Sequence, residues 1–155
     1  MEEVSLVEAG GNYGWPLREG MTCFNALNWS QPLGSCSTDG LSEPIIGYAH
    51  QSDLSAIIGG MVYRGEAIPE LVGEYIFGDW GRGNGRLFVA RPPTFGSGLW
   101  KITEIQMEVP GGRSEIGQLL GIGQDQRGEL YLLTKAPGVG AVGVTGAIYK
   151  LIPQK

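Results

Sequence analysis

Two stretches decide the fold: residues 73–79 read GEYIFGD and residues 128–133 read GELYLL. Each begins with Gly-Glu and continues into a short run of aromatic and aliphatic residues, which is typical of a buried inner strand. Short strands in units of roughly 40 to 50 residues, with recurring glycine and aromatic positions, are typical of propeller blades. The pair therefore predicts an all-β protein of the β-propeller class, with a β-sandwich as the competing all-β fold.

Further strand candidates surround these two stretches. A first series predicts one four-stranded sheet with an extra edge: residues 45–49, 56–63, 74–79, 86–90 and 99–107. A second series predicts a sheet of only three strands: residues 119–123, 129–134 and 147–152. Propellers have about four to eight blades. The chain supplies about two, and we expect it to be the C-terminal portion of a larger ring.

The domain organisation follows from these series. We expect residues 1–155 to form a partial propeller. Its predicted parts are the end of a preceding blade (1–16), a loop closed by a disulfide (17–44), one blade (45–110) and an incomplete last blade (115–153).

Composition excludes several classes of protein. The chain has 27 glycines and 9 prolines in 155 residues and no sustained helical periodicity, so a helical fold is excluded. The formal net charge is -5 without a Lys/Arg cluster, which argues against a nucleic-acid partner. No apolar run is long enough to span a membrane.

Cys23 and Cys36 lie in the polar stretch of residues 17–44, without the spacing or companion histidines of a zinc site. They are either two free thiols or a disulfide, and a disulfide is the better interpretation for an exported protein. Closing a loop of this size contributes about 3 kcal/mol in the chain-entropy model. The cysteine pair therefore predicts an exported protein of an oxidising compartment.

Four phrases resemble the glucose/sorbosone dehydrogenase family: residues 2–16 (EEVSLVEAGGNYGWP), 59–65 (GGMVYRG), 75–79 (YIFGD) and 128–131 (GELY). The resemblance implies a six-bladed propeller, periplasmic or secreted, that oxidises aldose sugars with pyrroloquinoline quinone (PQQ) and calcium. The histidine base of that family belongs to a part of the pattern that precedes residue 1. The resemblance thus implies the C-terminal fragment of a quinone-dependent sugar or alcohol dehydrogenase, inactive alone.

The resemblance also implies site residues. A calcium ion would lie at the Glu3 carboxylate and the Tyr13 backbone carbonyl, and Arg82 would face the quinone carboxylates. The arginine pair that enzymatic members place before the last inner strand falls on Gln118 and Leu120. This departure favours an alternative function, a non-catalytic extracellular propeller module that binds a protein or a glycan.

We expect structural roles for the single histidine and for the four tryptophans. The single histidine, His50, does not match the family's base, and we expect a structural or pocket-rim role. Trp15, Trp29, Trp80 and Trp100 are expected to pack between blades more than to stack on carbohydrate.

Incomplete blades leave open sheet edges, which a lone chain tolerates poorly. We expect either self-association, with residues 4–7 of one chain completing the three-stranded sheet of the next, or a missing N-terminal propeller portion that closes the ring.

Overall fold

The structure, a computed structural model, describes residues 1–50, 56–81, 83–109, 115–136 and 145–154. The chain forms two compact units. Unit 1 comprises Met1–Ala49 and Pro92–Trp100, and unit 2 comprises His50–Arg91 and Lys101–Lys155. All strand pairs in the described ranges are antiparallel, and these ranges contain no α-helix. The all-β prediction is confirmed.

Unit 1 contains two small two-stranded sheets. Strand β1 (Glu2–Val4) pairs with β4 (Ile46–Tyr48), and β2 (Arg18–Glu19) pairs with β3 (Thr22–Cys23) in a tight hairpin. The predicted strand at 45–49 is therefore present as β4, but it pairs with β1 and is not an extra edge of the next sheet.

The first sheet of unit 2 has four strands in the order β5-β6-β7-β8. They are β5 (Ile57–Val62), β6 (Tyr75–Asp79), β7 (Arg86–Arg91) and β8 (Lys101–Glu104), with a single 3₁₀ turn at Pro69–Leu71 between β5 and β6. The pairing of β5 with β6 shifts register between Ile58 and Met61. Gly60 lies in that shift, where a Cβ atom would come within 1.7 Å of the Ile76 carbonyl oxygen. The chain thus needs glycine at this bulge.

The second sheet of unit 2 has three strands, as predicted. They are β9 (Gln118–Gln124), β10 (Leu130–Lys135) and β11 (Gly146–Lys150), in the order β11-β10-β9. The β9–β10 turn is closed by Asp125, whose Oδ1 accepts the Arg127 and Glu129 N–H groups at 2.9 and 3.0 Å. This is the local bonding by which aspartate favours turns.

One hydrophobic cluster lies between the two sheets of unit 2. Its fully buried members are Tyr63, which directly follows β5, and residues from both sheets: Ile76, Leu87, Leu119, Leu130 and Leu132. Leu119 fits against Gly78 of β6 and against Gly85, which directly precedes β7. A Cβ atom on Gly78 would lie 2.1 Å from Leu119 Cδ2, and one on Gly85 would lie 2.6 Å from Leu119 Cβ. These glycines allow the two sheets to approach closely.

The open sheets, one of four strands and one of three, correspond to about two blades of a propeller. The prediction of a partial β-propeller is confirmed. The blade boundaries inside residues 1–155 and the completion of the three-stranded sheet by residues 4–7 of another chain stay predictions. No helix within the described ranges is long and apolar enough to cross a membrane.

Candidate interaction surface

The segment between β1 and β4 is held in place by a disulfide and a few backbone contacts. Cys23 and Cys36 are bonded, with Cα atoms 5.6 Å apart, so the predicted disulfide is confirmed. The Cys23 carbonyl also accepts the Leu33 N–H at 3.1 Å, and the Leu17 carbonyl accepts the Phe24 N–H at 2.9 Å. The disulfide therefore closes a loop of residues 23–36, which is anchored on the β2–β3 hairpin.

An apolar group lies at the base of this loop. The Trp15 and Phe24 rings pack in a tilted arrangement with centroids 4.8 Å apart, and Leu17 is joined to Phe24 through the backbone bond just described. Trp15 is nevertheless 68% exposed and Leu17 is 53% exposed. We call Trp15, Leu17 and Phe24 the aromatic patch. Its two exposed members present a large apolar surface to water.

A second exposed pair lies at the loop tip, where Leu27 is 98% and Trp29 82% exposed. The expectation that the tryptophans pack between blades is wrong for Trp15 and Trp29, whereas Trp80 and Trp100 are half-buried. The sequence feature that indicates this exposure is position: Trp15 lies beside a long polar loop and Trp29 lies within it.

The net charge is concentrated in unit 1. Unit 1 has six acidic side chains and a single basic one, Arg18. Its formal net charge is therefore -5, which equals the net charge of the whole chain. Unit 2 has ten of each sign. Arg18 is itself paired, since its Nη1 donates to Glu43 Oε1 at 2.8 Å. Unit 1 therefore combines exposed aromatic surface with a negative field.

The two predicted calcium ligands lie in unit 1. Glu3 is exposed in β1, but desolvation by the surrounding protein and the charge of Glu19 raise the pKa of its carboxyl group, although the Gly20 N–H acts in the opposite direction. Tyr13 lines a small crevice together with Gly20, and its hydroxyl group bonds the Glu8 N–H and the Leu6 carbonyl. Within the described residues no group of three or more His, Cys, Asp or Glu side chains is arranged for a metal.

Carboxylate and carbonyl oxygens, the groups predicted at Glu3 and Tyr13, are the ligands that a hard cation prefers. A bound calcium ion would offset the repulsion between Glu3 and Glu19, while the Tyr13 carbonyl would supply a neutral ligand. Calcium at Glu3 and Tyr13 stays a prediction.

We predict that Glu3→Gln weakens calcium binding roughly tenfold or more, because calcium affinity follows the number of charged ligands. Isothermal titration of the chain with CaCl₂ measures this change. Glu8→Gln is the control and should leave the calcium affinity unchanged. Equal affinity for the wild type and Glu3→Gln, or no binding at millimolar calcium, would contradict the prediction.

The sequence connects quinone chemistry with Arg82, Gln118 and Leu120. Arg82 lies outside the described residues. Gln118 is buried in β9, whereas Leu120 of the same strand is exposed. His50 is exposed shortly after β4. The described residues therefore do not test Arg82 as a quinone-binding residue.

Comparison with known proteins identifies relatives of a different kind. The chain is 31% identical to the HIPL1 protein of Arabidopsis thaliana over 150 residues, which are 86% of this chain and 21% of the relative. It is 29% identical to the HIPL2 protein of the same plant over 154 residues, 87% of this chain and 22% of the relative. It is also 30% identical to human Hedgehog-interacting protein over 101 residues, 64% of this chain and 14% of the relative.

The chain thus spans about a fifth of the length of the HIPL proteins. No family model matches the chain, and no solved structure matches it. The resemblance to the glucose/sorbosone dehydrogenase family finds no specific support among these comparisons.

These relatives overturn the predicted dehydrogenase function. The human and mouse relatives are named for an interaction with Hedgehog, not for an oxidation. The prediction of a PQQ-dependent oxidoreductase fragment is therefore wrong, and the sugar or alcohol substrate attached to it finds no support. The disulfide and the relatives indicate a secreted or extracellular protein. A periplasmic location stays a prediction.

Proposed function

We propose that this chain is part of a non-catalytic extracellular propeller that binds a protein through the aromatic patch of unit 1. The observation that carries the proposal is the exposure of Trp15 and Leu17, which contact Phe24 beside the loop that the Cys23–Cys36 disulfide closes. Large exposed apolar side chains mark interaction surfaces, and tryptophan is enriched among the residues that dominate binding energy. The names of the human and mouse relatives support a protein partner.

The charge of unit 1 selects among partners. Six acidic side chains against one basic side chain favour a partner with a basic surface around an apolar centre. A neutral glycan would gain nothing from this field. The charge of unit 1 therefore supports a protein rather than a glycan as the partner.

The disulfide contributes to binding through preorganisation. An interface loop that is ordered before contact loses less conformational entropy on association. The disulfide joins the end of β3 to the far side of the loop, and the aromatic patch packs at the loop's base. Trp15 and Leu17 therefore contact, through Phe24, the base of a covalently closed loop.

The first test is site-specific photocrosslinking on the secreted chain. A photoreactive residue at position 17 should capture a basic extracellular protein, whereas the same residue at position 133, another exposed leucine but in unit 2, should not. Mass spectrometry identifies the captured protein. Equal capture at both positions, or no capture at position 17, would argue against a docking site at the patch.

The second test quantifies binding with the purified captured protein, and with a purified Hedgehog protein as a further probe. Trp15→Ser should weaken binding by roughly tenfold or more, as expected for a central aromatic contact. Leu133→Ala should have no effect. Added salt should slow association, because opposite charges steer the partners together. Affinity that Trp15→Ser leaves unchanged would refute the proposal.

A further inference from the structure

The loop tip contains the tripeptide Asn28-Trp29-Ser30, an N-x-S sequence of the kind that accepts N-linked oligosaccharide. It is the only Asn-x-Ser/Thr tripeptide in the 155 residues, since the other three asparagines have Gly14, Leu27 and Arg86 two positions later. The motif alone is short and occurs by chance. Three structural features give it weight.

The first feature is hydrogen bonding inside the tripeptide. Ser30 Oγ donates to Asn28 Oδ1 at 2.8 Å, so the hydroxyl group and the carboxamide are already in contact. The Asn28 Nδ2 atom, which would carry the sugar, donates to Gln31 Oε1 at 3.3 Å, near the long end of the hydrogen-bond range. Losing this exposed contact on modification costs little.

The second feature is the turn that presents Asn28. Asn25 Oδ1 accepts the backbone N–H groups of Leu27 and Asn28 at 3.1 and 3.2 Å, and Asn25 Nδ2 donates to the Gln31 carbonyl at 2.9 Å. Residues 25–31 therefore form a defined turn on the surface. Asn28 is exposed on this turn, with room for a bulky group.

The third feature is the setting of the tripeptide. It lies between Cys23 and Cys36, whose disulfide indicates the oxidising export route along which N-linked oligosaccharides are attached. Its neighbours Leu27 and Trp29 are among the most exposed apolar side chains of the described residues. A glycan on Asn28 would cover apolar surface that otherwise faces water.

We infer that Asn28 is an N-glycosylation site. The donor would be an oligosaccharide linked to a lipid through a diphosphate. A bond forms between Asn28 Nδ2 and C1 of the first sugar, the bond from C1 to the diphosphate oxygen breaks, Nδ2 loses a proton, and the lipid diphosphate leaves. This modification does not depend on the proposed protein binding, because the aromatic patch lies at the loop base and the glycan at its tip.

The test is secretion of the chain from cultured eukaryotic cells, followed by intact-mass and glycopeptide analysis. The wild type should carry one glycan, which peptide-N-glycosidase removes while converting Asn28 to Asp. Asn28→Gln and Ser30→Ala should abolish the modification. Ser30→Thr, which keeps the acceptor sequence, should retain it.

Two results would overturn the inference. One is a wild-type protein secreted with an intact Cys23–Cys36 disulfide and an unmodified Asn28. The other is a glycan that persists in Asn28→Gln but disappears in Ser30→Ala, which would assign the sugar to the Ser30 hydroxyl group. Non-reducing mass analysis of every variant checks the disulfide, so that only proteins with the same closed loop are compared.

Discussion

Leu119→Ala should lower the free energy of unfolding by about 2–5 kcal/mol, the range for removing a fully buried leucine side chain. Leu119 is completely buried and lies in β9, against Gly78 and Gly85 of the neighbouring sheet. Its backbone N–H also donates to the Trp80 carbonyl at 3.3 Å. Removing this side chain leaves a cavity between the two sheets of unit 2. Urea denaturation followed by tryptophan fluorescence measures the loss.

Gly78→Ala tests the same contact from the other side. The new Cβ would lie 2.1 Å from Leu119 Cδ2 and 2.9 Å from the Arg86 carbonyl oxygen, so something must move. We expect a loss of about 1–3 kcal/mol, as for other overpacked cores. In the double variant the alanine methyl group occupies part of the space that Leu119 vacated. The double variant should therefore lose less stability than the two single variants combined, with a coupling free energy of about 0.5–3 kcal/mol.

Leu120→Ala is the matched control. Leu120 follows directly in β9 but faces the other way and is 51% exposed. Its replacement should change stability by about 0.5 kcal/mol or less. Losses of equal size for Leu119→Ala and Leu120→Ala, or strict additivity in the double variant, would show that the Leu119 contact does not hold the two sheets together.

Much of the fold was predictable because its strands are local features. Runs such as residues 75–79 and 130–135 combine β-branched or aromatic side chains with glycines at their ends, and the structure places strands there. Pairing is less local. The strand at Ile46–Tyr48 was recognised, yet its partner is Glu2–Val4, more than 40 residues away in the sequence. Hydrophobic pattern defines a strand's faces but does not identify the neighbour to which it bonds.

The functional prediction failed for a related reason. The phrases that resemble the sugar dehydrogenases are strand and turn sequences, and they encode blade geometry rather than chemistry. Gln118 and Leu120 already departed from the expected basic pair, and that departure pointed to the alternative now favoured by the relatives. The exposure of Trp15 could not be read from its identity, because a tryptophan beside a glycine-rich turn suits a core as well as a surface.

The buried Glu129 carboxylate was not anticipated either, and it leads to the second large effect. Glu129 follows the Asp125 turn, and its Oε1 accepts the Glu66 and Ala67 N–H groups at 3.0 Å each. Its Oε2 accepts the Tyr63 hydroxyl proton at 2.8 Å, and the Tyr63 oxygen in turn accepts the Ile68 N–H at 3.0 Å. This network joins the β5–β6 connection to β10.

The same contacts shift the pKa values of Glu129 and Tyr63. Donation by the Tyr63 hydroxyl group, supported by the two backbone N–H groups, lowers the pKa of Glu129 below its ordinary value of 4.5. Burial, and then the hydrogen bond to Glu129, raise the pKa of Tyr63. A carboxyl group whose pKa is lowered by folding stabilises the protein above its unfolded pKa. That stabilisation is lost as the pH falls through the folded pKa.

Tyr63→Phe should therefore lower the free energy of unfolding by about 1.5–3 kcal/mol at neutral pH, because a hydrogen bond to a buried charged group is lost and the Ile68 N–H loses its acceptor. The loss should shrink as the pH falls below 4.5 towards the lowered pKa of Glu129 in the folded protein, because protonation of Glu129 there weakens the same bond in the wild type. Tyr131→Phe is the control. Its hydroxyl group bonds the Asp125 carboxylate at 3.2 Å in a half-buried site, and the variant should lose little stability. Urea denaturation at pH 7, 5 and 3.5 measures both variants. A Tyr63→Phe loss that stays constant across this range would show that the Glu129 charge is not the source of the stabilisation.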